Sequence, residues 1–151
     1  MKPTVPTATL LDVNLLIALA WPNHVHHALA HRWFTALKKR PWATCPLTQL
    51  GFVRISSNPK ILADAVTPRD ASDVLKRILA MPHHVFWPDD RSVPGLSAFQ
   101  SLGLVGHRQV TDAYLLELAR AHRGRLATLD QGLDTLILDA RERNALVEVV
   151  R

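Results

Sequence analysis

The stretch VTDAYLLELARAHRGRLATLD, residues 110–130, decides the fold. Its first part reads as an amphipathic helix from about Gln109 to His122, with Gly124 placed as the C-terminal cap. RLATL follows as a short apolar strand, closed by Asp130. A helix that feeds straight into a short apolar strand is the repeating unit of a parallel sheet, whose strands need crossover connections. One acid stands at each end of this unit. Asp112 opens the helix, next to His107, Arg108 and Gln109, and Asp130 closes the strand.

The same unit recurs outward from this stretch. TATLL, residues 7–11, is an apolar run closed by Asp12, and VNLLIALAW follows at once as a helix that Pro22 stops. Residues 24–40 read as a second helix, with Val25, Leu29, Trp33 and Leu37 spaced four apart on one face. WATC is a second strand. Pro46 suits a first helical turn, so PLTQLGFVRISS is a helix ended by Asn58-Pro59. Thr67-Pro68 starts another, with Ala71, Val74, Leu75, Ile78 and Leu79 as its buried stripe, and Pro82 ends it. HVFW is a third strand, residues 89–107 are irregular, and ALVEVV closes the chain as a fifth strand after RLATL. Short strands alternating with helices predict an α/β fold in which helices cover both faces of a parallel sheet.

In such sheets ligands gather beyond the carboxyl ends of the strands. Asp12 and Asp130 each close a strand, and Asp112 starts the helix that feeds the second of these. The three acids, which lie far apart in sequence, are therefore expected in one crevice. Each alone has a local explanation: a helix cap for Asp12, a favourable first-turn charge for Asp112, a turn for Asp130. Together they repel one another, and packing gives no reason to gather them. A hard divalent cation removes the conflict, since Mg²⁺ and Mn²⁺ take carboxylate oxygens as ligands.

LLDVNLLIAL, LTQLGFVRISSNP, RQVTDAYLLELA and LATLDQGL, in this order and spacing, resemble the successive motifs of PIN-domain ribonucleases, and most closely those of VapC-type toxins of bacterial toxin–antitoxin pairs. The resemblance covers essentially the whole chain. It implies a PIN-like three-layer α/β/α sandwich with a central, mostly parallel five-stranded sheet, in a single domain over residues 1–151. It further implies metal-dependent hydrolysis of RNA by the toxin of a type II pair, with Mg²⁺ or Mn²⁺ as cofactor. The implied partners are an RNA substrate, a cognate antitoxin whose segment covers the crevice, and a second copy of the chain. By the same resemblance Asp12, Asp112 and Asp130 match metal-binding and catalytic acids, with Asp12 and Asp112 holding the principal ion. Asn14 and Thr128 match polar neighbours that support them. The family commonly adds a glutamate on the helix after the second strand, whereas here no acid lies between Thr44 and Ala63, and Gln49 or Gly51 takes its place. Gln49 still offers hydrogen bonds to a metal-bound water. Glu117 is a poor substitute, because five residues beyond Asp112 it points about 140° around the helix. Asp134 and the pair Asp89-Asp90 are the other sources of charge. His107 and Arg108, in the approach to the site, are candidate RNA contacts.

Composition agrees with this reading. A chain of 151 residues can bury a sizeable core unaided, and with Cys45 as the only cysteine no intrachain disulfide forms. The amino terminus has no signal-peptide pattern and no apolar stretch approaches the roughly 20 residues that cross a bilayer, so a cytoplasmic protein is expected. The net charge of +5 favours a polyanionic partner. His24, His27 and His31 share a helix face at zinc-like spacing, without a Cys or acid nearby to complete a tetrahedron. The four tryptophans are better read as packing than as base-stacking platforms, and Lys38-Lys39-Arg40 as a solvated helix end. Two other readings remain. TLLDVN also resembles the nucleophile motif of haloacid-dehalogenase-like phosphatases, although Asn14 stands where that chemistry wants a second acid. The missing glutamate suggests a non-catalytic RNA-binding or regulatory module, which would bind RNA equally well in EDTA.

Overall fold

The computed structural model describes residues 7–100, 104 and 106–151, apart from the side chains of residues 134 and 135. Its five strands are β1 (Thr9–Leu11), β2 (Trp42–Thr44), β3 (His84–Phe86), β4 (Arg125–Thr128) and β5 (Val147–Val149). Six helices connect them: α1 (Val13–Ala20), α2 (His27–Ala36), α3 (Pro46–Ser56), α4 (Pro68–Leu79), α5 (Val110–Ala121) and α6 (Ala140–Leu146). The strands form one sheet in the order β3-β2-β1-β4-β5, and every neighbouring pair is parallel.

Register and the alternation of side chains sort the core into two layers. Leu10 lies level with Ala43 and Leu126, and Leu126 with Val147. All four face one cluster together with Leu115, Leu116 and Leu118 of α5 and Leu146 of α6. Leu11, Trp42 and Ala127 point the other way, into a cluster with Leu15 and Leu16 of α1, Phe52 of α3 and Leu75 of α4. The result is the expected three-layer α/β/α sandwich. From β1 the chain steps to β2 and β3 on one side, then crosses back to lay β4 and β5 on the other. The reversal falls between β1 and β4, the position at which an open α/β sheet forms its ligand crevice.

Local chemistry sets the element boundaries. The Asp12 side chain caps α1 by accepting from the Val13 N–H at 2.7 Å. Pro46 and Pro68 open α3 and α4, and Thr67 Oγ1 accepts from the Asp70 N–H at 3.1 Å. Three expectations are corrected. The second helix is shorter than residues 24–40: Val25 lies before α2 and is 86% exposed, so the four-residue spacing began one turn too early. The left-handed residue after α5 is Arg123, with φ 54°, not Gly124. Gly124 is required for space instead, since a Cβ there would lie 2.4 Å from the Ala8 carbonyl oxygen and 2.6 Å from the Trp87 ring. Finally, Ala145 and Leu146 belong to α6, leaving β5 as three residues.

Candidate active site

Asp12 and Thr128 lie at the carboxyl ends of the neighbouring strands β1 and β4, where the strand order reverses. The Asp12 N–H extends the ladder by donating to the Ala127 carbonyl at 3.0 Å, which fixes the backbone of the acid against β4. Thr128 is fully buried at the end of β4, and its hydroxyl donates to Asp12 Oδ2 at 2.8 Å. The Thr128 hydroxyl oxygen in turn accepts from the Asp130 N–H at 3.0 Å. One side chain therefore ties together two of the three junctions at which the acids stand.

The Asp12 side chain is only 6% exposed. Burial raises its carboxyl above the usual aspartate range, against the hydrogen bonds from Thr128 and Val13 that pull it down, and the charge of Asp130 adds to the rise. Asp112, in the first turn of α5, is half-buried. Its carboxyl is pushed up to about 7, first by burial and then by the charges of Asp12 and Asp130. The three carboxyls thus lie in one electrostatic field. Among the described residues no ion pair with Lys or Arg neutralises any of them.

The three do not close on a single point. Among the described residues no three His, Cys, Asp or Glu side chains are gathered for an ion as they stand. Asp130 is exposed, and its Oδ1 accepts from the Gly132 N–H at 2.8 Å within its own turn. The donor set nevertheless suits a hard divalent cation. It consists of uncompensated carboxylate oxygens whose mutual repulsion already shows in the raised Asp112.

The other expected residues are distributed around this centre. Asn14 is exposed in the first turn of α1. Gln49 lies in the first turns of α3, and its Nε2 donates to Thr44 Oγ1 at 3.0 Å. That hydroxyl also meets His84 Nε2 at 2.7 Å. A Cβ at Gly51 would come within 2.7 Å of Val13 Cγ2, which would have to shift, whereas Gln49 already carries a long polar side chain. His107 and Arg108 are exposed in a single 3-10 turn that runs directly into α5. Glu117 belongs to a separate cluster on the far side of α5. It accepts from Ser97 Oγ and the Ala98 N–H, both at 2.8 Å, and from Arg120 at 2.6 Å. Burial alone would raise Glu117, but these donors outweigh it and the carboxyl sits below the ordinary range. The side chain of Asp134 lies outside the described residues.

Asp89 is engaged elsewhere, a role the sequence did not reveal. Its carboxylate accepts from the Leu47 N–H at 2.8 Å and the Tyr114 hydroxyl at 3.2 Å. The histidines of the second helix form no metal cluster: His27 Nδ1 bonds the Ala18 carbonyl at 2.8 Å, and its ring centroid lies 6.0 Å from that of His31. The tryptophans are structural. Trp21, Trp33 and Trp42 each donate a ring N–H at 2.9 Å, to Ser56, Glu148 and the Pro82 carbonyl, and Trp87 stacks on His122. Arg40 bonds the Ala36 and Leu37 carbonyls at the end of α2, as expected of a basic helix terminus.

Comparison with known proteins gives an independent line. No family model matches the chain. Ribonuclease VapC38 of Mycobacterium tuberculosis is 51% identical over 127 residues, covering 84% of this chain and 88% of the relative. Ribonuclease VapC39 of the same organism is 48% identical over 124 residues, covering 82% and 89%. Ribonuclease VapC29 is 46% identical over 124 residues, covering 82% and 86%.

Proposed function

Since the chain belongs to the VapC family of PIN-domain toxins, we propose that it is an endoribonuclease that hydrolyses RNA phosphodiester bonds with Mg²⁺ or Mn²⁺. The observation that carries the proposal is the β1–β4 junction, where the buried Thr128 hydroxyl joins Asp12 to the backbone of Asp130, and where burial and the charges of these two acids raise the Asp112 carboxyl. The names of the relatives supply the reaction class, and none of those named above is a phosphatase.

Asp12 and Asp112 would hold the principal ion in this scheme, with Asp130 as the third acid of the pocket. When bound, a divalent ion lowers the pKa of a coordinated water and polarises the scissile phosphate. Thr128 presents Asp12 in one orientation, and the Val13 N–H holds its other oxygen. Asn14 and Gln49 orient water at the rim, the latter without adding charge. His107 and Arg108 stand exposed immediately before the turn that carries Asp112 and meet substrate phosphates. No Ser, Cys or His nucleophile is required.

The biological setting follows the same reading: one domain, cytoplasmic, dimeric, and kept inactive by a cognate antitoxin. Among the described residues no helix is long and apolar enough to cross a membrane. The second reading, a non-catalytic RNA-binding module, is favoured only by the uncharged Gln49 on α3. One assay separates the two. Purified protein incubated with tRNA and rRNA fragments in Mn²⁺ yields discrete products that EDTA abolishes. RNA bound equally with and without EDTA and never cut would establish the non-catalytic module instead.

A further inference from the structure

Asp89 follows β3 through Trp87-Pro88, a buried indole and a residue of fixed φ, which together define where its backbone lies. The Trp87 N–H donates to the Thr44 carbonyl at 2.9 Å and continues the β3–β2 ladder up to this point. From there the carboxylate reaches two helices at once. Oδ2 accepts from Leu47 N–H, an orphan donor in the first turn of α3, and Oδ1 accepts from the hydroxyl of Tyr114 on α5. Leu47 is two residues before Gln49, and Tyr114 is two residues after Asp112. The acid therefore clamps the two helix starts that the nuclease reading places beside the metal.

We infer that Asp89 is a positioning residue, whose bridge from the Leu47 N–H to the Tyr114 hydroxyl fixes the first turns of α5 and α3 relative to each other and so sets where Asp112 stands. The need for such a clamp follows from the repulsion within the site. Asp112 carries a charge of the same sign as Asp12 and Asp130, and the segment immediately before α5 is a short 3-10 turn. Tyr114 is only 8% exposed, so its ring is fixed in the core, and Asp89, itself exposed, meets its hydroxyl at the rim. Misplacement of a catalytic group by about 1 Å can cost on the order of a hundredfold in rate. This inference rests on the nuclease reading for its consequence, although not for the clamp itself.

The Leu47 N–H reports the clamp without reference to activity, because the Asp89 carboxylate is its acceptor. In Asp89→Ala the Leu47 amide exchanges faster with solvent; unchanged exchange overturns the clamp. Tyr114→Phe keeps the ring packing and removes only the hydroxyl. Both variants weaken Mn²⁺ binding in calorimetry and lower kcat by about tenfold or more at unchanged KM, and the double variant is no worse than the poorer single. Faster Leu47 exchange with wild-type Mn²⁺ affinity overturns the positioning role. Wild-type protein that cuts no RNA, while both variants still lose Mn²⁺ affinity, retires the nuclease reading and leaves Asp89 as the residue that places Asp112.

Discussion

Thr128 shows how much one hydroxyl can carry. It donates to Asp12 and accepts from the Asp130 N–H in a fully buried position, so Thr128→Val leaves a carboxylate oxygen and an amide without partners. The expected loss is about 1–3 kcal/mol by chemical denaturation, together with most of the activity, whereas Thr128→Ser retains both. Asp112 makes the opposite kind of prediction. Its folded-state pKa of about 7 lies above the ordinary aspartate value of 3.8, so the folded chain binds more protons than the unfolded one between those values. The stability that the protonated form contributes is full below the lower value and is lost as pH rises through the upper one. Metal-free Asp112→Asn therefore melts above wild type near pH 8, and the difference shrinks toward pH 4, as a pair of calorimetric scans at about those values would show. Asp12, Asp112 and Asp130 could be singled out in the sequence because each stands at an element junction. The engagement of Asp89 with Tyr114 could not, because the 25 residues that separate them in the chain form no periodic pattern.

The elements were legible where local chemistry and periodicity agree. Pro46, Pro68 and Thr67 mark helix starts that the structure reproduces, and each short strand was visible as an apolar run. The second helix was overextended because Val25 matches the spacing of a stripe that tertiary packing does not use. Gly124 was assigned the wrong cause for a similar reason: a sequence shows that glycine is present but not whether φ or space demands it. The distinction is testable. Gly124→Ala forces a methyl group against the Ala8 carbonyl and Trp87, where the backbone cannot yield as a flexible side chain would. A loss of about 1–3 kcal/mol is expected from such overpacking, measured by urea unfolding. Arg123→Gly at the neighbouring left-handed position should instead be neutral or stabilising.

At the scale of the whole molecule, the strand order makes one junction between distant parts of the chain. The strand order returns across β1 to place β4 beside it, and this return brings Asp12 next to Thr128 and Asp130 although 116 residues separate the first two. Strand order cannot be read from periodicity; the preference of α/β sheets for ligands at the carboxyl edge led to the expectation of a crevice there. Among the described residues the three acids are not gathered for one ion, and Asp130 bonds the Gly132 N–H of its own turn. The net charge of +5 adds a prediction at the same scale: RNA affinity falls steeply as salt rises, a slope obtainable from filter binding with the uncleaving Asp112→Asn protein. The most direct test of the central claim is proton-linked Mn²⁺ binding. Titrated calorimetrically in buffers of differing ionisation enthalpy at about pH 6 and pH 8, the protein should bind Mn²⁺ more tightly at the higher pH and release close to one proton at the lower. Asp112→Asn should abolish both effects. Equal affinity at the two pH values, or binding that survives in Asp112→Asn, would contradict the account.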